Sequence, residues 1–112
     1  MNAFDWMNGL PCAITVCDLD GIVVEMNEKA AQMYRSYGGT ALIGKSLLDC
    51  HPDAARTKLL QLLQSGGTNV YSTEKNGIKK LIYQAPWHAG SRQCGMVELA
   101  LEIPFDMPHF IR

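Results

Sequence analysis

The stretch Ile14–Tyr37, ITVCDLDGIVVEMNEKAAQMYRSY, leaves the chain few ways to fold. Ile14 and Val16 alternate with Thr15 and Cys17, and Ile22 to Met26 is a second run rich in β-branched residues, so both segments suit a pleated strand. Between them Asp18-Leu19-Asp20-Gly21 supplies turn chemistry, with Gly21 available for a positive φ. Asn27 is placed to cap the orphan amides of the helix that follows, and Glu28 is well placed against the helix dipole. Ala30, Met33, Tyr34 and Tyr37 then recur at i, i+3, i+4 and i+7, which makes one apolar stripe.

Ahead of this stretch, Asn2 to Leu10 reads as a short helix capped by Asn2, with Phe4, Met7 and Trp6 on its apolar side and Pro11 ending it. So short a helix is unstable alone and must dock. Beyond the stretch, Tyr37-Gly38-Gly39-Thr40 breaks the pattern, and Ala41 to Leu48 fits one or two helical turns. Pro52 suits the first position of a longer helix with Asp53 in its first turn. Ala55, Leu59, Leu62 and Leu63 form its buried face, Arg56, Lys58, Gln61 and Gln64 its wet one, and Gly66-Gly67 ends it. Asn69–Lys75 and Ile78–Trp87 flank Asn76-Gly77, the strongest short-range hairpin signal, and His88 to Arg92 reads as a second, longer loop. Gln93 to Ile103 alternates, with Val97, Leu99, Leu101 and Ile103 on one side and Met96, Glu98, Ala100 and Glu102 on the other; Glu98 and Glu102 are expected to face solvent. Two strands, helices, then three strands predict an α+β fold, a five-stranded antiparallel sheet with helices over one face.

At 112 residues the chain is long enough for one core without disulfide or metal staples. A net charge of -1 gives no basic footprint, so direct nucleic-acid binding is not expected. No apolar run reaches membrane-spanning length, and MNAFDWMNGLP carries an early acid and no Lys or Arg, unlike a signal peptide; a cytoplasmic location is expected. Cys12 and Cys17 fall on opposite faces of one strand, no CxxC occurs, and the four cysteines read as reduced and inert.

The Asp18-Leu19-Asp20-Gly21 turn, the Ile22-Val23-Val24-Glu25-Met26-Asn27 strand exit and the Ala-rich helix to Tyr34 resemble the opening of a PAS domain. Leu42-Ile43-Gly44-Lys45-Ser46-Leu47 is similar to that family's hydrophobic-hydrophobic-Gly-basic step, and Cys50-His51-Pro52-Asp53 to the start of its long helix. The resemblance implies a single PAS domain over residues 1–112, with an N-terminal helix or cap at 1–11, a core at 12–104 and a tail at 105–112. It implies a PAS-like sheet with the two N-terminal strands at its centre beside the last one, and a concavity under the helices where ligands sit. The N-terminal helix is expected on the outer sheet face or in dimer contacts. The implied role is a non-enzymatic sensory or regulatory module in signal transduction. Such a module binds a small ligand or cofactor in its cavity and signals through homodimer contacts or a signalling partner such as a kinase or regulator, while the architecture alone does not specify the ligand.

The implied ligand-binding set is Met33, Tyr34, Leu47, Cys50, His51, Leu59, Leu63, Tyr71 and Tyr83. His51 could offer an imidazole to haem iron, but haem-binding relatives take their histidine from within the long helix, and Asp53–Ser65 holds none. Covalent flavin photochemistry needs a cysteine where this chain has Leu47, and Cys50 reads as a small buried hydrophobe. The cofactor is therefore left open. Tyr34, Tyr71 and Tyr83 can line a pocket or simply pack, and spacing does not decide which side of its strand Tyr71 or Tyr83 shares with the helices. No Ser-His-acid set, HExxH or phosphate-cradling Gly-rich loop is present, which disfavours hydrolytic and nucleotide chemistry. A ligand-free dimerisation or interaction module is the alternative.

Overall fold

The computed structural model describes residues 3–50 and 53–112. The expected Asn2 cap, the Pro52 helix start, His51 and the side chain of Cys50 lie outside the described residues. The chain runs α1 (Ala3–Gly9), β1 (Ala13–Asp18), β2 (Val23–Met26), α2 (Glu28–Met33), three 3-10 turns, α3 (Asp53–Ser65), β3 (Asn69–Lys75), β4 (Ile78–Ala89) and β5 (Arg92–Ile103). The strands form one antiparallel sheet in the order β2-β1-β5-β4-β3. β5 is therefore central with β1 beside it, whereas β2, expected at the centre, forms an edge. Residues 44–47 cover that edge: Gly44 N–H donates to the Val23 carbonyl at 2.7 Å, Val23 N–H to the Lys45 carbonyl at 2.9 Å, and Leu47 N–H to the Gly21 carbonyl at 2.7 Å.

Asp18 closes the β1–β2 turn. Its Oδ1 accepts from the amides of Asp20 at 2.9 Å and Ile22 at 3.0 Å, a side-chain mimic of a backbone turn. Gly21 takes φ 79°, where a Cβ would be strained. Asn27 does more than cap α2. Its Oδ1 accepts from Ala30 N–H at 3.0 Å and from Ile14 N–H at 2.9 Å, while its Nδ2 donates to the carbonyls of Met7 and Cys12, each at 2.8 Å. Together with the Asn8 side chain, which accepts from Glu28 N–H at 3.2 Å, these bonds tie α1 to the start of α2.

The stripe expected along α2 is cut short. After Met33 the chain tightens into a 3-10 turn at Arg35–Tyr37, with left-handed Gly38 following, and the change of pitch leaves Tyr37 54% exposed. α3 buries Leu59, Leu62 and Leu63 over β4 and β5, and Gly66 donates to the Leu62 carbonyl at its end. The long loop expected at His88–Arg92 is a two-residue turn, because β4 continues to Ala89 and pairs it with Arg92.

One core lies between helices and sheet. Cys17, Val23, Ala30, Tyr34, Leu42, Leu47, Leu59, Leu62, Leu63, Ile82, Met96 and Ala100 pack together there. The register puts Cys17 opposite Met96, Thr15 opposite Glu98, and Ala13 opposite Ala100, so the helix-facing side of β5 is Met96-Glu98-Ala100. This corrects the expectation of a solvent-facing Glu98, which is 4% exposed. Val97, Leu99, Leu101 and Ile103 lie half-buried on the outer face, beside Leu81 and Tyr83 of β4.

Candidate functional site

A chain of polar side chains crosses the otherwise apolar helix-facing side of the sheet. The Tyr34 hydroxyl, at the end of α2, donates to Glu98 Oε1 on β5 at 2.6 Å. Gln84 Nε2 on β4 donates to Glu98 Oε2 at 2.8 Å, and Asn69 Nδ2 on β3 donates to Gln84 Oε1 at 3.0 Å. The register builds this row, since Asn69 faces Gln84 and Gln84 faces Glu98. A carboxylate removed from water is costly unless hydrogen bonds replace its hydration, and here each oxygen has a donor. The charge of Glu98 is felt by a neighbour: Tyr71 is pushed above the ordinary tyrosine range, mainly by burial and then by Glu98.

Thr15 lies opposite Glu98 on β1 and is 1% exposed. Its Oγ1 is buried without a hydrogen-bond partner among the described residues. Leaving such a hydroxyl unmatched costs about 1–3 kcal/mol. The row therefore offers a firmly held acceptor, Glu98, beside a hydroxyl with bonding capacity to spare.

Tyr34, Leu47, Leu59 and Leu63 all enter the one packed core, at 9, 1, 1 and 7% exposure. Met33 packs against the core's margin. Tyr71 shares the helix-facing side through its pairing with Ile82 but is 42% exposed near the sheet's edge. Tyr83 does not join them: it pairs with Leu99 on the opposite side of the sheet, so it cannot line a hollow under the helices. Glu98, Gln84, Asn69 and Thr15 were not among the expected site residues. The available signal was the period-2 phase that puts Glu98 with Met96 and Ala100, two residues small or apolar enough to be buried.

Cys17 is fully buried, and burial pushes its thiol up to about 11. No three metal-ligating side chains converge among the described residues, and no described helix is long and apolar enough to cross a membrane.

The family model for the PAS fold matches residues 7–74. The chain belongs to the PAS family. Solved structures agree on the fold. The PAS domain of BvgS from Bordetella pertussis is 14% identical with a TM-score of 0.66, the match covering 89% of this chain and 82% of that one. A sensory box sensor histidine kinase from Vibrio cholerae is 16% identical with a TM-score of 0.62, over 90% and 89% of the two chains. A C-terminal domain from Streptococcus mutans is 20% identical with a TM-score of 0.72, over 89% and 81%. A comparison with curated proteins finds no match. The five-stranded antiparallel sheet with helices is the PAS arrangement of these neighbours.

Proposed function

We propose that this PAS domain is a non-enzymatic cytoplasmic sensor that binds a small ligand against the helix-facing side of its sheet and signals through dimer or partner contacts. The observation that carries the reading is the unpartnered Thr15 hydroxyl beside the buried Glu98 carboxylate. Native proteins rarely leave such a group unmatched, and a ligand carrying both a donor and an acceptor satisfies the pair. The partner is a signalling protein of the kind its neighbours belong to, a histidine kinase or a regulator. A ligand transmits a signal only by binding two arrangements with different affinity. Tyr34 offers the lever, because its bond to Glu98 joins the end of α2 to the central strand.

Native mass spectrometry of the purified chain, with its absorbance spectrum, tests this. A bound small molecule that is retained by the wild type and lost in Thr15→Val supports it. A chain free of any ligand, and unshifted by metabolite screening, overturns it.

The ligand-free alternative has its own support in the outer face, where Val97, Leu99, Leu101, Ile103 and Tyr83 form a half-covered apolar strip. Light scattering decides between them. A dimer abolished by Leu99→Glu, in a chain without ligand, favours the interaction module.

A further inference from the structure

A cleft of about 410 Å³ opens between the end of the sheet and α2, apart from the interior row of Tyr34 and Glu98. Its floor is Ala13 and Ala100, both buried, which pair across β1 and β5. Lys29, Gln32 and Met33 of α2 and Ser36 of the 3-10 turn after it line one side of the cleft. Arg35 stands on the same turn, and Lys80 and Glu102, cross-strand partners, close the far side. Three cations and one carboxylate, Glu102, thus line the cleft, on a chain whose net charge is -1. None of Lys29, Arg35 and Lys80 is ion-paired among the described residues. The volume is that of a metabolite site, and an apolar floor with a cationic rim matches a short apolar body carrying anionic ends.

We propose that this cleft binds a small organic anion, a metabolite bearing carboxylate or phosphate groups, held by Lys29, Arg35 and Lys80. The proposal does not depend on the interior ligand, since neither Glu98 nor Thr15 lines the cleft. The Arg35 guanidinium can grip a planar carboxylate or a phosphate through two parallel bonds, with the lysines as point charges on either side.

Thermal shift and backbone amide NMR, with succinate and inorganic phosphate as probes in low-salt buffer, test it on the whole chain. Saturable stabilisation by either probe, with amide shifts around residues 29–36 and 80, is the expected result. Succinate alone assigns a carboxylate ligand and phosphate alone a phosphorylated one. The Lys29→Ala/Arg35→Ala double variant should lose affinity by about tenfold or more. Both substitutions are at exposed positions, so its melting temperature without probe should stay that of the wild type. Lys58→Ala, on α3 and outside the cleft lining, should titrate as the wild type does. The proposal is overturned if neither probe saturates, if sodium chloride at equal ionic strength reproduces the shift, or if the double variant keeps full affinity.

Discussion

Removing the Asn27 side chain should cost far more than a helix cap. The residue is 1% exposed and makes four side-chain hydrogen bonds. Asn27→Ala loses the cap on Ala30 N–H, worth about 1 kcal/mol. It also strands the Ile14 amide, which is on a residue 6% exposed, at about 1–3 kcal/mol. The carbonyls of Met7 and Cys12 are only partly buried and can turn to water, so losing their donor adds roughly 1 kcal/mol between them. The total is about 3–5 kcal/mol, a large share of the 5–15 kcal/mol typical of a domain. Urea unfolding followed by far-UV circular dichroism measures it, and with a slope of about 1–3 kcal/mol/M the midpoint should fall by more than about 1 M. Asn27→Asp separates the two roles, because it keeps both acceptor bonds and loses both donors. Its second oxygen then faces the Met7 and Cys12 carbonyls, so it should act by freeing α1, visible as faster amide exchange at residues 5–10. A loss of 1 kcal/mol or less for Asn27→Ala would reduce the residue to a solvated cap and refute the argument.

Leu59→Ala should cost about 2–5 kcal/mol, since Leu59 is 1% exposed in the core; a loss below about 0.5 kcal/mol would mean α3 is rotated. Tyr34→Phe removes a donor from a buried carboxylate and should cost about 1.5–3 kcal/mol in the same urea assay, and no change would unseat the Tyr34–Glu98 bond. Cys17 has a folded pKa raised from 9.0 to about 11, so its contribution is complete below pH 9 and is lost as pH climbs from 9 to 11. Stability should therefore fall more steeply over that window in the wild type than in Cys17→Ala, and identical pH profiles would exclude the effect. Gly95→Ala puts a Cβ into the carbonyl of Cys17 on the neighbouring strand and should destabilise by about 3 kcal/mol or more; a variant that melts like the wild type would contradict the close approach of β5 to β1.

The parts of the fold that were legible are those fixed by local chemistry. Asn76 and Gly77 both take positive φ in the β3–β4 hairpin, Gly21 closes the first turn, and Gly66 ends α3, each where its residue type predicts. The pairing phase was the weak point. Alternation along β5 separates Val97, Leu99, Leu101 and Ile103 from Met96, Glu98, Ala100 and Glu102, but it does not say which set meets the helices. Putting the two acids in water follows the usual rule for an antiparallel sheet with one wet face. That rule fails because donors for Glu98 arrive from Tyr34, 64 residues earlier, and from Gln84 on the next strand, and no local pattern contains them. Helix length failed for a related reason. Tyr37 kept the period of α2, yet the chain leaves the α-helix after Met33 and takes a 3-10 turn that ends at left-handed Gly38.

The sheet has two apolar faces with different duties, and the polar row is what distinguishes them. The helix-facing side carries the core, and its buried carboxylate, Glu98, is pinned by donors from α2 and β4. The outer side carries the apolar strip of Leu81, Tyr83, Val97, Leu99, Leu101 and Ile103, which is only half covered. β5 belongs to both, with Glu98 directed inward between Val97 and Leu99, which are directed outward. A one-residue slip of β5 would exchange Glu98 for apolar neighbours and drive the carboxylate into the outer strip, so the pinned acid also fixes register. Under the proposed sensing role, a change at Tyr34 that loosens its grip on Glu98 bears on the strand that carries Val97 and Leu99. The coupling then needs no long chain of contacts, only one central strand read from both sides, and a double-mutant cycle between Tyr34→Phe and Leu99→Ala measures it as a non-additive stability or dimerisation term.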